Sequence, residues 1–233
     1  MRIYTRRGDG GTTDLRVGGR VPKDSRVIEL VGTVDEAQAA LGMARAETTP
    51  GSELDAVLAG LERDLWIVMA EVATGTDRRD GLEPGVTAVT STMVRQLESR
   101  IDVVMATLDL ERGFAVPGGT RCSAALDLAR TVVRRAERVA AGHGADTSLV
   151  GAFLNRLSDL CWALARSTEG EHLRVRDVSP AERARGDAAG TGRGASGSGD
   201  AGGSGAGMDG SGAGMDGSGA GMDGTDGEDG GDR

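Results

Sequence analysis

Apolar residues recur at three- and four-residue steps through most of the chain up to about residue 170, the spacing that lines them along one side of an α-helix. Over 26–47 the stripe is Val27, Leu30, Val31, Val34, Ala37 and Leu41. Over 52–73 it is Leu54, Val57, Leu58, Leu61, Leu65, Val68, Met69 and Val72, with Ser52 placed as an N-cap. A third helix is predicted over 87–110, with Met93, Val94, Leu97, Ile101, Val104, Met105 and Leu108 inward. The fourth, 123–141, carries Ala125, Leu128, Ala129, Val132, Ala136 and Val139 and is stopped by Gly142 and Gly144. The last starts at Thr147 or Ser148, runs to Ser167 and buries Leu149, Val150, Phe153, Leu154, Leu157, Leu160, Cys161 and Leu164. The run 75–85 reads as a loop, and only 2–5 and 174–178 read as extended. The expectation is an all-α fold, an antiparallel five-helix bundle.

The periodicity stops before the chain does. Residues 186–233 hold 20 of the 39 glycines, no aromatic, and three copies of Gly-Ser-Gly-Ala-Gly-Met-Asp that set Met208, Met215 and Met222 seven apart. One apolar side chain per seven residues, set among glycines, cannot offset the entropy of ordering the backbone. A helical bundle over 1–180 and a disordered, acidic, Gly/Ser/Met/Asp-rich repeat tail over 186–233 are therefore expected. Of the 27 basic and 36 acidic residues the tail takes 2 and 9, so 25 and 27 remain before it. The folded part is thus close to neutral, and no nucleic-acid partner is expected. No stretch is long and apolar enough to span a membrane, and the N-terminus has no apolar leader, so a soluble, cytoplasmic protein with no membrane partner is expected. Cys122 and Cys161 lie in helical stretches without CxxC spacing and read as reduced thiols.

Candidate chemistry collects in a few places. Thr5-Arg6-Arg7-Gly8-Asp9-Gly10-Gly11-Thr12-Thr13-Asp14 combines glycines, cations and hydroxyls as an anion-holding loop would, yet lacks the Gly-Lys-Ser/Thr of a P-loop. In the fourth helix Arg130, Arg134 and Arg138 fall at four-residue steps, with Asp127, Arg135 and Glu137 beside them. Three like charges at that spacing repel locally. The row reads either as a solvated face compensated by Asp127 and Glu137 or as a site for phosphates or a partner's carboxylates. Phe114, one of five aromatics, stands on a Gly/Pro-rich turn, either closing the bundle's end or facing a flat ligand. Asp35 sits beside the buried stripe of the first helix and, if buried, needs an arginine partner. Asn155 and Asp159 make a polar patch on the last helix. With only His143 and His172 in the chain, a histidine-dependent triad is disfavoured. An enzyme of this composition would position a substrate that brings its own nucleophile.

TRRGDGGTT, RVPKD, VGTVDE, FAVPGG, ARTVVRRAER and LNRLSDL, in this order, resemble the PduO-type ATP:cob(I)alamin adenosyltransferases over about residues 1–167. The resemblance implies a homotrimer of five-helix bundles with ATP and corrinoid at the subunit interfaces. It implies transfer of the 5′-deoxyadenosyl group of ATP to cob(I)alamin, forming adenosylcobalamin and triphosphate, with Mg²⁺ accompanying ATP. A cobalamin reductase and a B12-dependent acceptor enzyme would be its protein partners. Carried over by motif, Thr5, Arg6, Gly8, Asp9, Gly11 and Thr12 would wrap the phosphates, with Lys23, the chain's single lysine, reaching them too. Arg134 would contact phosphate, Glu137 and Arg138 would shape the nucleotide site, and Asn155 would hold the nucleotide. Asp35 and Arg130 would pair across the subunit boundary. Phe114 would pack beneath the corrin ring, displacing the lower axial base. The chain departs from the family pattern at Arg7, at Ala37-Gln38 and at Trp66-Ile67-Val68-Met69. The alternative is a catalytically weak corrinoid- or nucleotide-binding carrier or sensor of adenosylcobalamin.

Overall fold

The computed structural model describes residues 4–109, 114–142, 148–170 and 173–178. Five helices carry it: α1 Arg26–Ala46, α2 Glu53–Val72, α3 Ser91–Met105, α4 Arg121–Ala141 and α5 Val150–Ser167. α1 packs against α2 and α4, α4 against α5, and α5 against α3. Arg26 Nη1 donates to the Gly142 carbonyl at 2.7 Å, which ties the start of α1 to the end of α4 and sets the pair antiparallel. The bundle expected from periodicity is present.

The stripes account for the core. Leu30, Val34 and Leu41, Leu58, Leu65 and Val68, Leu97, Leu126 and Val133, and Phe153, Leu154, Leu157 and Leu160 are all buried together. Each such side chain contributes about 1.5–3 kcal/mol on leaving water. Buried alanines on α1 (Ala37, Ala44) and α4 (Ala129, Ala136) let those two helices approach closely. On α4 the stripe differs from expectation at one position: Leu128 is exposed, and Val133 points into the core instead. α2 buries Ile67, Val68 and Met69 and turns Trp66 outward. Gln38 Nε2 donates to the Glu62 carbonyl at 2.8 Å, fastening α1 to α2.

Helix ends follow their caps. Ser52 Oγ accepts from Asp55 N at 3.2 Å, as expected, and Thr90 Oγ1 accepts from Met93 N at 3.2 Å. That second cap delays α3 to Ser91, shorter at both ends than its apolar pattern suggested. Thr120 and Ser123 cap α4 reciprocally, so it begins at Arg121, earlier than expected. The run 75–85 contains a short 3-10 helix, Thr76–Gly81.

The extended segments are corrected. A two-stranded antiparallel hairpin, β1 Thr12–Asp14 and β2 Arg20–Pro22, pairs Thr12 with Pro22 and Asp14 with Arg20. Of 2–5, the first two residues lie outside the described residues. In 174–178, Arg174 bridges to Ala115 and Val175–Asp177 turns as a 3-10 helix. The tail, His143 and His172 also lie outside the described residues. Among the described residues no helix is long and apolar enough to cross a membrane.

Candidate functional site

The hairpin explains how Lys23 reaches the N-terminal loop. Tight turns, Asp9 N to the Arg6 carbonyl at 3.3 Å and Gly11 N to the Gly8 carbonyl at 3.2 Å, fold Thr5–Thr12 back on itself. The β1–β2 register then brings Lys23 alongside, where its backbone N donates to the Gly11 carbonyl at 2.9 Å. Its ammonium lies over Gly8: a Cβ there would stand 3.1 Å from Lys23 Nζ. Among the described residues Lys23 makes no ion pair, so its charge faces outward over the loop.

Arg20 holds that loop closed, a role the sequence reading missed. Its Nη2 donates to the Arg7 carbonyl at 2.7 Å, the Thr12 carbonyl at 3.1 Å and Thr12 Oγ1 at 2.9 Å, while Nη1 meets Asp14 Oδ2 at 2.8 Å. Only a planar fork of donors satisfies so many acceptors at once. Arg6 adopts φ +60° and stacks over Tyr4, 5.5 Å from the ring centroid. The hairpin docks on the end of α2 through Val17 N to the Ala73 carbonyl and Gly75 N to the Val17 carbonyl.

The arginine row divides. Arg130 is half-buried and its Nε donates to Asp127 Oδ1 at 3.3 Å. Arg134 is exposed and makes no ion pair among the described residues, while Arg138 Nη1 donates to the Arg134 carbonyl at 3.0 Å. Arg135 pairs with Glu36 of α1. Glu137 and Asn155, on different helices, meet at 2.8 Å, and the other side of the Asn155 amide accepts from Arg156. Arg156 is held in turn by Glu98 and Asp159.

Asp127 is not the solvated compensator that its place on the arginine helix suggested. It is buried, and its second oxygen accepts from Arg166 Nη2 at 2.6 Å; Arg166 Nη2 also donates to Glu169 Oε1 at 3.1 Å. Burying charges costs roughly several kcal/mol per ion before pairing recovers it. Sequence offered no direct signal, because the partner lies thirty-nine positions away.

Two expected contacts are not made within one chain. Asp35 is exposed on α1 and has no ion pair among the described residues, so it and Arg130 do not meet. Likewise no hydrogen bond or ion pair among the described residues joins the Thr5–Thr12 loop to Arg134 or Arg138. Phe114 is 85% exposed at the other end of α4. Its backbone is pinned by Val175 N to the Phe114 carbonyl at 2.9 Å and by Val116 N to the Leu173 carbonyl at 2.7 Å. The cysteines stay out of the chemistry: both are buried, and burial pushes the Cys161 thiol up to about 12.

The surface thus offers a cationic loop, the exposed Arg134 and Arg138 of α4, and an aromatic held clear of the core. The cobalamin adenosyltransferase family profile matches residues 3–168. The chain is 39% identical over 172 residues to the corrinoid adenosyltransferase of Bacillus subtilis, covering 71% of this chain and 86% of that one. It is 38% identical over 170 residues to that of Mycobacterium tuberculosis, covering 71% and 87%. It superposes with a TM-score of 0.68, at 26% identity, on a variant of the PduO-type ATP:corrinoid adenosyltransferase of Lactobacillus reuteri complexed with cobalamin and ATP. That match covers 75% of this chain and 99% of the other. The chain therefore belongs to the cobalamin adenosyltransferase family. Its activity is ATP:corrinoid adenosyl transfer.

Proposed function

We propose a division of labour for that reaction among this chain's own residues. The Thr5–Thr12 loop, with Arg6, Gly8, Asp9 and Gly11 in its turns, and Lys23 form one wall of the ATP site. The arginine row of a neighbouring copy forms the other. The observation that carries this reading is the placement of Lys23 over the Gly8 turn, with neither Lys23 nor Arg134 making an ion pair among the described residues, while Arg20, Arg130 and Arg135 near them are paired. Loop and row do not meet within one chain, which fits a site completed between copies, as in a homotrimer. The same geometry leaves Asp35 exposed on α1 for the Arg130 of another copy.

Cob(I)alamin is the nucleophile. Its cobalt attacks C5′ of ATP, the C5′–O bond breaks, and triphosphate departs with the bonding pair. Lys23, Arg134 and the loop N–H groups stabilise the charge gathering on triphosphate, where fixed donors act best. Glu137 and Asn155, already hydrogen-bonded to each other, hold the nucleoside, and Arg138 buttresses Arg134 through its carbonyl. Phe114 lies beneath the corrin and displaces the lower axial base, leaving cobalt four-coordinate and easier to reduce. Orientation matters most, since holding C5′ in line with cobalt removes much of the entropic barrier. Among the described residues no three His, Cys, Asp or Glu side chains cluster to hold a metal. Mg²⁺ is accordingly assigned to the phosphates and water, where it supplies further positive charge to the leaving group.

The test is direct. Purified protein with ATP, Mg²⁺ and chemically reduced cobalamin forms adenosylcobalamin, followed by its absorption spectrum. Arg134→Ala lowers kcat by about 100-fold or more while the oligomer stays whole. Near-normal turnover in that variant would remove Arg134 from the phosphate site. Binding of both substrates without product would make the protein a carrier.

A further inference from the structure

The buried charges on α4 and α5 are not spent on the core alone. Arg166 is 3% exposed, Asp127 5% and Glu169 7%, among leucines, valines and alanines. Well-packed apolar residues would stabilise such a position as well or better, so stability is a weak reason for the ions. What distinguishes them is where each arm ends. Asp127 gives one oxygen to Arg166 and the other to Arg130, a member of the arginine row. Glu169 lies against the turn before α4, so closely that a Cβ on Gly119 would stand 2.9 Å from its carboxyl carbon. Gly119 belongs to the turn leading from Phe114 into the capping box at Thr120. Beyond Glu169, the Leu173 carbonyl accepts from Val116 N and Val175 N donates to the Phe114 carbonyl, so this part of the chain also holds the Phe114 segment.

We infer that Arg166 is a positioning residue for adenosyl transfer, fixing Arg130 through Asp127 and the Phe114 segment through Glu169. The inference rests on the roles proposed above for Arg130 and Phe114. A single Nη2 serves both acids, at 2.6 Å to Asp127 and 3.1 Å to Glu169. Arg166 Nε also faces Glu169 Oε2 at 3.1 Å, an ion-pair contact without hydrogen-bond geometry. Because Glu169 is packed against Gly119 and bound to Arg166, a shift of the Gly118–Gly119 turn is felt at Arg166. Through this bridge the segment placed beneath the corrin and the arginine placed at the subunit boundary share one register. Lysine does not replace the arginine, because its single nitrogen cannot also set a second donor 3.1 Å from Glu169 Oε2 as Arg166 Nε does.

Full-length Arg166→Lys keeps the charge and loses the fork. It is expected to melt within a few degrees of the parent, with kcat down about tenfold and KM for ATP within about threefold. A purely structural role would lower the melting temperature and leave kcat of the folded fraction unchanged. A second readout is the visible spectrum of bound cob(II)alamin, in which the variant retains more of the form with its lower base in place. If Arg166→Lys does not fold, Gly119→Ala decides the matter. That residue is exposed, and the three atoms nearest the added methyl all belong to Glu169. Either folded variant with kcat and spectrum within about twofold of the parent overturns the inference. Phe114→Ala and Arg130→Ala, assayed alongside, separate the two readings. If they too turn over normally, the site assignment fails; if only the Arg166 and Gly119 variants do, the bridge alone fails.

Discussion

Gly8 illustrates how a single side chain can set the charge of a site. A Cβ at Gly8 would stand 3.1 and 3.2 Å from the Lys23 ammonium and its neighbouring methylene, close enough that they must give way. A methyl there is cheap for the fold, since the far end of a lysine swings aside easily, but it displaces the cation from its place over the turn. Gly8→Ala is expected to raise KM for ATP about five- to tenfold at an unchanged melting temperature, read from steady-state kinetics and a thermal melt. An unchanged KM would mean that Lys23 does not act over Gly8. The reading of Lys23 as the late-arriving lysine of a glycine loop needed only its being the one lysine of the chain beside a family motif. That it sits over Gly8 needed the hairpin. Arg20 went unrecognised for the same reason: in sequence it is one arginine among 26, and its four acceptors converge only when β1 and β2 pair.

At the scale of the element, α4 does most of the organising. Its reciprocal cap, Ser123 N to Thr120 Oγ1 at 3.0 Å and Thr120 N to Ser123 Oγ at 2.9 Å, sets where the chain turns from the Phe114 segment into helix. Thr120→Ala removes the side chain that accepts from Ser123 and is expected to cost about 1 kcal/mol. For a bundle of this size that lowers the melting temperature by about 2–4 °C, measurable by calorimetry. No change would mean that water caps α4 as well as Thr120 does. The arginine row of α4 was legible because four-residue steps put Arg130, Arg134 and Arg138 on one side of any helix. The burial of Asp127 was not legible, because its spacing from Arg130 also suits an exposed pair; the Arg166 that buries it comes from α5.

At the scale of the molecule, the repeat region 186–233 differs from the rest in composition and charge. Its composition argues for a solubilising spacer, and it carries a net charge of −7 (two basic, nine acidic) against −2 for the rest. Deleting it is expected to leave kcat and KM within about twofold and the melting temperature unchanged, checked in the same adenosylation assay. A large loss of activity would make it part of the working enzyme. Completion of the site is also a molecular matter. Asp35, Lys23 and Arg134 all present charge outward; under the proposal Asp35 meets Arg130 of another copy, while Lys23 of one copy and Arg134 of another close on one triphosphate.

Amphipathic spacing alone placed all five helices, because a helix that must bury one side repeats its apolar residues every three or four positions wherever it goes. The inventory of chemistry was equally local: a glycine loop, a row of arginines, an aromatic on a turn. The hairpin was not, since strands three residues long carry too few positions to show a period. Nor was the fate of the charges. Whether an aspartate is solvated like Asp35 or buried like Asp127 depends on which distant segment packs over it, and that is settled only when helices far apart in sequence come together.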